Sequence, residues 1–114
     1  MDASQVDRIA KALADSRRRD ILETLVREGV VSCGALAERF PVGQSTISHH
    51  LKILLDAGVV RVRREGQFGF FSVNQEVLGA FLRAMQDRLL GKGQAGEGGP
   101  PPVSREPNVV EESS

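Results

Sequence analysis

In QVDRIAKALA the apolar residues Val6, Ile9, Ala10 and Leu13 recur at the spacing of one helix face. The next run, SRRRDILETLVREG, repeats the spacing at Ile21, Leu22, Leu25 and Val26, with Asp15 placed to cap its start and Gly29 to stop it. A third, short helix is predicted over CGALAERF. Ser32 would cap it, Leu36, Ala37 and Phe40 would be buried, and Pro41 would end it. After the tight connection PVG, a fourth helix begins near Gln44 and runs to Ala57, with Gly58 as its stop. Two β-branched and aromatic runs, VVRVRRE and QFGFFSV, then meet around Gly66 as a hairpin. Asn74 is placed to cap a fifth helix, QEVLGAFLRAMQDRLL, which carries Val77, Leu78, Phe81, Leu82, Met85 and Leu89 along one broad face.

The predicted fold is therefore mainly α, within the α+β class: helices one to four, a two-stranded β-hairpin wing and a C-terminal fifth helix. That is the order of a winged helix-turn-helix. Beyond residue 90 the composition changes to Gly, Pro, Ser and Glu with little to bury, so residues 91–114 are expected to be a disordered tail behind a single domain of residues 1–90. A chain of 114 residues holds one small domain of this kind.

Charge changes the picture. The chain has 15 Lys and Arg against 15 Asp and Glu, a balance that on its face disfavours a polyanionic partner. The balance is uneven along the chain. The tail carries Lys92 and Arg105 against Glu97, Glu106, Glu111 and Glu112, whereas residues 42–64 carry Lys52, Arg61, Arg63 and Arg64 against Asp56 alone. Positive charge is thus concentrated on the fourth helix and the hairpin that follows it.

With Ile47 at the centre of a helical wheel, Leu51, Leu54 and Leu55 fall on its side and form the face that packs inward. Ser45, Thr46, His49 and Lys52 point the other way. Short polar side chains at the N-terminal end of such a helix suit base edges in a major groove, where they hydrogen-bond without clashing. The candidate DNA-contacting residues are therefore Gln44, Ser45, Thr46, Ser48, His49 and Lys52 on the helix, with Arg61, Arg63, Arg64 and Gln67 on the wing. His50 falls at the edge of the inward face and is expected to be partly buried with one hydrogen bond. Adjacent helical histidines diverge by about 100° and do not chelate one metal. Ser45 or Ser48 beside a histidine lacks the G-x-S-x-G elbow and orienting acid of a hydrolase, which argues against an enzyme. A single cysteine, Cys33, excludes an intrachain disulfide, and no Cys/His cluster suggests zinc.

The run QSTISHHLKILLDAGVVRVRREGQFGFFSV resembles the recognition helix and wing of the ArsR family of bacterial winged-helix repressors, and IAKALADSRRRDILETL resembles their first two helices. The likeness covers residues 5 to 90. It implies a homodimer on a pseudo-palindromic operator, often controlling its own operon. It also implies pairing through helices one and five, where Ile9, Leu13, Leu78, Phe81, Leu82 and Met85 offer more apolar surface than so small a core absorbs. Two departures stand out: Ser16 where the family commonly has proline, and Gly43 where it commonly has a capping serine. Metal-sensing members carry paired cysteines in a pattern like C-x-C-D-L; aligning Leu36 with that leucine puts Ser32 and Gly34 at the cysteine positions, with Cys33 between them. Helix five offers Glu76 and Asp87 but no histidine, and at 1.5 Å per residue these lie about 16 Å apart. No metal site and no cofactor are expected.

The sequence thus predicts a sequence-specific repressor that binds double-stranded DNA as a homodimer. The opening MDASQVDRIAKALAD alternates charge with apolar residues, unlike a secretory leader, and no apolar run suits a bilayer, so a cytoplasmic protein with no membrane partner is expected. The alternatives on the same fold are a ligand- or thiol-responsive sensor repressor, whose small-molecule effector the sequence does not name, and a winged-helix protein-interaction module. The last would leave a polar outward face beside a basic wing without a purpose.

Overall fold

The computed structural model describes residues 1–91. Its elements are α1 (Ala3–Ala12), α2 (Ser16–Glu28), the short strand β1 (Val31–Ser32), α3 (Cys33–Ala37), α4 (Gln44–Ala57), β2 (Val60–Glu65), β3 (Phe68–Val73) and α5 (Gln75–Leu90). The region expected to be a tail lies outside the described residues apart from Gly91.

Side-chain caps start four of the five helices. Oδ1 of Asp2 accepts from the Gln5 amide at 2.8 Å and Oδ1 of Asp15 from the Arg18 amide at 3.1 Å. Oγ of Ser32 accepts from the Ala35 amide at 3.1 Å and Oδ1 of Asn74 from the Val77 amide at 3.3 Å. Each satisfies one of the amides that a helix start leaves without an intrahelical acceptor. The Arg18 amide also holds the Asp15 carboxyl below the usual carboxylate range. Asp2 explains why α1 begins earlier than its apolar pattern suggested. At the other end, Gly29 and Gly58 take φ of +88° and +85°, a region that favours glycine, and stop α2 and α4 where expected.

Three details depart from expectation. The third helix ends at Ala37, well before Pro41, because the Arg39 and Phe40 amides bond back three residues to Leu36 (2.9 Å) and Ala37 (3.4 Å), tightening the turn out of α-geometry. Ala37 and Phe40 are half-buried, leaving Leu36 alone fully inside. On α2, Val26 is 57% exposed whereas Thr24 is 3% exposed. The buried face is centred between Ile21 and Leu25, and on a 100° wheel Thr24 lies nearer that centre than Val26 does. Thr24 can be buried because its hydroxyl donates to the Asp20 carbonyl at 3.0 Å. Finally, the expected two-stranded wing has a third strand: the sheet order is β1-β3-β2, all antiparallel, with Val31 opposite Phe71 and Ser32 opposite Phe70. A two-residue strand is too short to show a period in sequence.

The compact body spans Met1–Phe81. Its centre is formed by Ile9, Ile21, Leu25, Leu36, Ile47, Leu51, Leu54 and Val59, all under 2% exposed. Ile9 and Phe81, expected at a dimer interface, belong to this core: Ile9 is wholly buried and Phe81 is 6% exposed, so neither side chain has surface to offer a partner. The remaining described stretch, Leu82–Gly91, is the end of α5, on which Leu82, Leu89 and Leu90 are exposed. Among the described residues no helix is long and apolar enough to cross a membrane.

Because Leu54 is wholly buried on α4, Leu54→Ala should lower unfolding free energy by about 2–5 kcal/mol. Gly58→Ala should cost about 1 kcal/mol through its backbone alone, since an added Cβ would meet only Val77 Cγ1 at an ordinary 3.8 Å. Urea denaturation checks both; a Leu54→Ala loss below about 1 kcal/mol would mean that α4 is not the centre of the core.

Candidate nucleic-acid interface

The fourth helix has two faces. Ile47, Leu51, Leu54 and Ala57 are buried and Leu55 is half-buried. Gln44, Ser45, Thr46, Ser48, His49 and Lys52 are all exposed. The helix start is bare: Gly43 brings no side-chain cap, so the first amides of α4 have no side-chain acceptor there. Unpartnered amides at a helix N-terminus favour an anion.

The structure brings α4 and the wing together along a cleft of ≈ 390 Å³, in which Gln44, Ser48 and Lys52 face Arg64 and Gln67. Lys52 is paired with Asp56 at 3.3 Å, but both side chains are well exposed and the pair is weak in water. Gly69 gives Arg64 its place. A Cβ built there would stand 3.0 Å from Arg64 Nη1 and 3.3 Å from Val62 Cγ2, so the missing side chain leaves room for the guanidinium to lie close over β3.

The wing arginines do not form one patch. Successive side chains of a strand point to opposite faces, and Arg64 points into the cleft with α4 while Arg61 and Arg63 point away from it. Arg63 lies over the Phe70 ring at 5.3 Å and pairs with Glu65 at 3.0 Å. Arg61 reaches the start of α5, bonding Asn74 Oδ1 at 3.2 Å and Glu76 Oε1 at 3.4 Å. The hairpin turn leaves Phe68 57% exposed at the wing tip. Its place in sequence, an aromatic directly after the Gly66–Gln67 turn, is the signal that marks it as a tip residue.

His50 is half-buried, as expected, and its Nδ1 lies 3.5 Å from Nη1 of Arg18. Burial pushes its pKa below the ordinary imidazole value. Arg18 and Arg19 donate to the end of α1: Arg18 Nε to the Ala12 carbonyl and Arg19 Nη1 to the Leu13 carbonyl, both at 2.6 Å, while Arg18 Nη1 also lies 3.9 Å from Asp15 Oδ2. Arg17 lies 5.3 Å over the Phe40 ring. Cys33 is half-buried at the edge of the cleft, and burial raises its thiol pKa. A raised pKa keeps the thiol protonated and slow to react, which works against a thiol sensor. Among the described residues no group of three or more His, Cys, Asp or Glu is placed to hold a metal ion.

A helix-turn-helix domain family matches residues 13–63. The chain is similar to the transcriptional repressor SdpR of Bacillus subtilis (strain 168), 41% identical over 73 residues that make up 64% of this chain and 80% of that protein. It is also similar to the arsenical resistance operon repressor of the same organism, 39% identical over 63% of this chain and 69% of that protein. The chain belongs to the ArsR family of transcriptional regulators. An ArsR-like transcriptional regulator from Rhodococcus sp. RHA1 superposes with a TM-score of 0.66 at 26% identity, covering 81% of this chain and 92% of that one. The solution structure of a homodimeric winged helix-turn-helix DNA-binding domain from Mycobacterium bovis gives 0.62 at 32% identity, over 76% of this chain and 82% of that one. Fold and relatives are those of transcriptional regulators, and this ArsR-family chain is not an enzyme.

With its thiol pKa raised, Cys33 of this ArsR-family regulator should be alkylated by iodoacetamide at pH 7.5 several-fold more slowly than in the urea-unfolded chain. Mass spectrometry of timed aliquots measures this; equal rates in both states would show an accessible thiol.

Proposed function

We propose that this chain binds double-stranded DNA as a homodimer, on a pseudo-palindromic operator, and represses transcription. The observation that carries this is the exposed polar face of α4, from Gln44 to Lys52, joined to the wing by the cleft that Arg64 and Gln67 share. A helix with its inner face locked in the core presents that outer face rigidly to a major groove. Ser45, Thr46, Ser48 and His49 are assigned to base edges. Lys52, Arg64 and the bare start of α4 are assigned to phosphates, with Gln44 and Gln67 between the two. Arg61 and Arg63 would reach DNA only by leaving Glu76 and Glu65, both exposed pairs that cost little to break.

Residues 1–90 would be the DNA-binding and dimerisation domain. The homodimeric domain from Mycobacterium bovis supports pairing. With Ile9 and Phe81 inside the core, the residues assigned to the interface are Leu13, Leu78, Leu82 and Met85. Leu13 and Leu78 line a shallow apolar depression with Leu22 and Val26, surface that pairing would cover. The protein would act in the compartment that holds the chromosome, and the promoter of its own gene is the first place to seek the operator.

Affinity for that promoter should fall steeply as salt is raised from 50 to 200 mM, because phosphate contacts release counterions. Replacing Ser45, Thr46 or His49 by Ala should reduce operator affinity relative to random DNA, by about 1–3 kcal/mol where a good base contact is lost. Fluorescence anisotropy on both DNAs measures the ratio; equal losses on both would mean that the face does not read bases.

Arg64→Ala should weaken both DNAs about equally and lower the salt slope by about 1, by removing the guanidinium that shares the cleft with Lys52. An unchanged slope in this variant would remove Arg64 from the phosphate contacts.

A further inference from the structure

Arg18 reaches Lys11, Ala12, Asp15 and His50, and DNA contact does not explain it. Its side chain is 14% exposed. Nε donates to the Ala12 carbonyl at 2.6 Å and Nη2 to the Lys11 carbonyl at 3.2 Å, two oxygens in the last turn of α1. Nη1 lies 3.9 Å from Asp15 Oδ2 and 3.5 Å from Nδ1 of His50. A guanidinium only donates, so at His50 it requires an unprotonated Nδ1, which means a neutral ring with its proton on Nε2.

We propose that Arg18 is a positioning residue for the recognition helix and acts through neutral His50. Two carbonyls of α1 accept from the guanidinium and the Asp15 carboxylate lies 3.9 Å from Nη1, which also reaches one point on α4, Nδ1 of His50. Because α4 is a single helix of 14 residues, fixing His50 also fixes the direction in which Ser45, Thr46 and His49 face. Lysine does not reproduce this, since its three donors sit on one nitrogen, whereas the Arg18 contacts use three nitrogens of a planar fork.

The contact has a chemical signature. The titratable and charged groups that face His50 are Asp15, Arg18, His49 and Arg17. Asp15 favours the charged ring; burial, the two arginines and a protonated His49 oppose it. Protonating His50 turns the acceptor into a donor and sets a second positive charge against Arg18, which ends the contact. His49 is exposed on the outward face, outside this contact. The contact therefore makes acid lower DNA affinity through His50.

The proposal rests on the DNA-binding assignment above, so the experiment has two arms. In the first, nitrogen NMR of the DNA-free protein reads the His50 ring. An unprotonated Nδ1 at pH 7.5, with a titration point that rises in Arg18→Gln, is expected; protonated Nδ1, or a titration unmoved by Arg18→Gln, overturns the contact. In the second, anisotropy on the promoter fragment is followed from pH 8 to 5.5 at fixed ionic strength. Excluding one proton from the bound form makes affinity fall by up to about tenfold per pH unit below the His50 titration point. His50→Asn, whose carbonyl oxygen stands near the place of Nδ1, should bind within about threefold of the parent at pH 7.5 and lose the acid dependence. Arg18→Lys should lose preference for promoter over random DNA at pH 7.5, with circular dichroism confirming a folded chain. The same acid fall in His50→Asn as in the parent, or undiminished preference in Arg18→Lys, overturns positioning. Absence of binding to any DNA at every pH overturns the DNA-binding assignment and positioning with it, while the ring titration still decides the contact.

Discussion

The structure depends on one helix having to satisfy two opposed demands. The fourth helix must bury Ile47, Leu51 and Leu54 completely to hold the core together, while keeping six polar residues in water on its other side. The first demand serves the second. A helix packed along one stripe resists rolling or sliding because either opens a cavity, so the backbone of its outer face is largely pre-ordered when a ligand arrives. Neighbouring elements complete the display. The glycine at φ +85° that ends α4 lets the chain reverse, and Val59 follows it wholly buried, so the wing begins against the core. The cleft between helix and wing follows from that short connection.

Much of this was legible in the sequence because it is carried by short-range chemistry. The bounds of α4, the caps by Asp15, Ser32 and Asn74, and the stops at Gly29 and Gly58 each involve residues within a turn of one another. Periodicity located the inner and outer faces of α4, and the half-buried position of His50 was read from its wheel angle. The ArsR family was recognisable from the same run of residues, and the relatives agree.

What was not legible involves partners distant in the chain. Strand β1 exists only because Val31 and Ser32 meet β3 some forty residues later, and two residues carry no pattern of their own. The arginines of the wing looked like one patch because sequence lists them together; strand alternation sends Arg64 into the cleft and Arg61 and Arg63 away from it. Val26 and Thr24 changed places because a threonine hydroxyl can bond its own helix, an option that apolar counting ignores. Ile9 was assigned to a partner surface because total apolar content cannot say which residues the monomer absorbs; at 0% exposure it is absorbed entirely. The Arg18–His50 contact spans 32 positions and left no local trace.

The sheet order places β2 at an open edge, with β3 between it and β1. An unpaired edge is a template on which another chain can add a strand, and proteins that must stay dispersed guard such edges with charge. Arg61, Arg63 and Arg64 are three of the six residues of β2. Their mutual repulsion across two approaching copies would keep wing from pairing with wing. The same positions therefore answer to colloidal stability as well as to any ligand, and substitutions that neutralise them carry an aggregation risk even where recognition is untouched. Weak binding in a wing variant has two separable physical origins, and light scattering distinguishes a sticky edge from a lost contact.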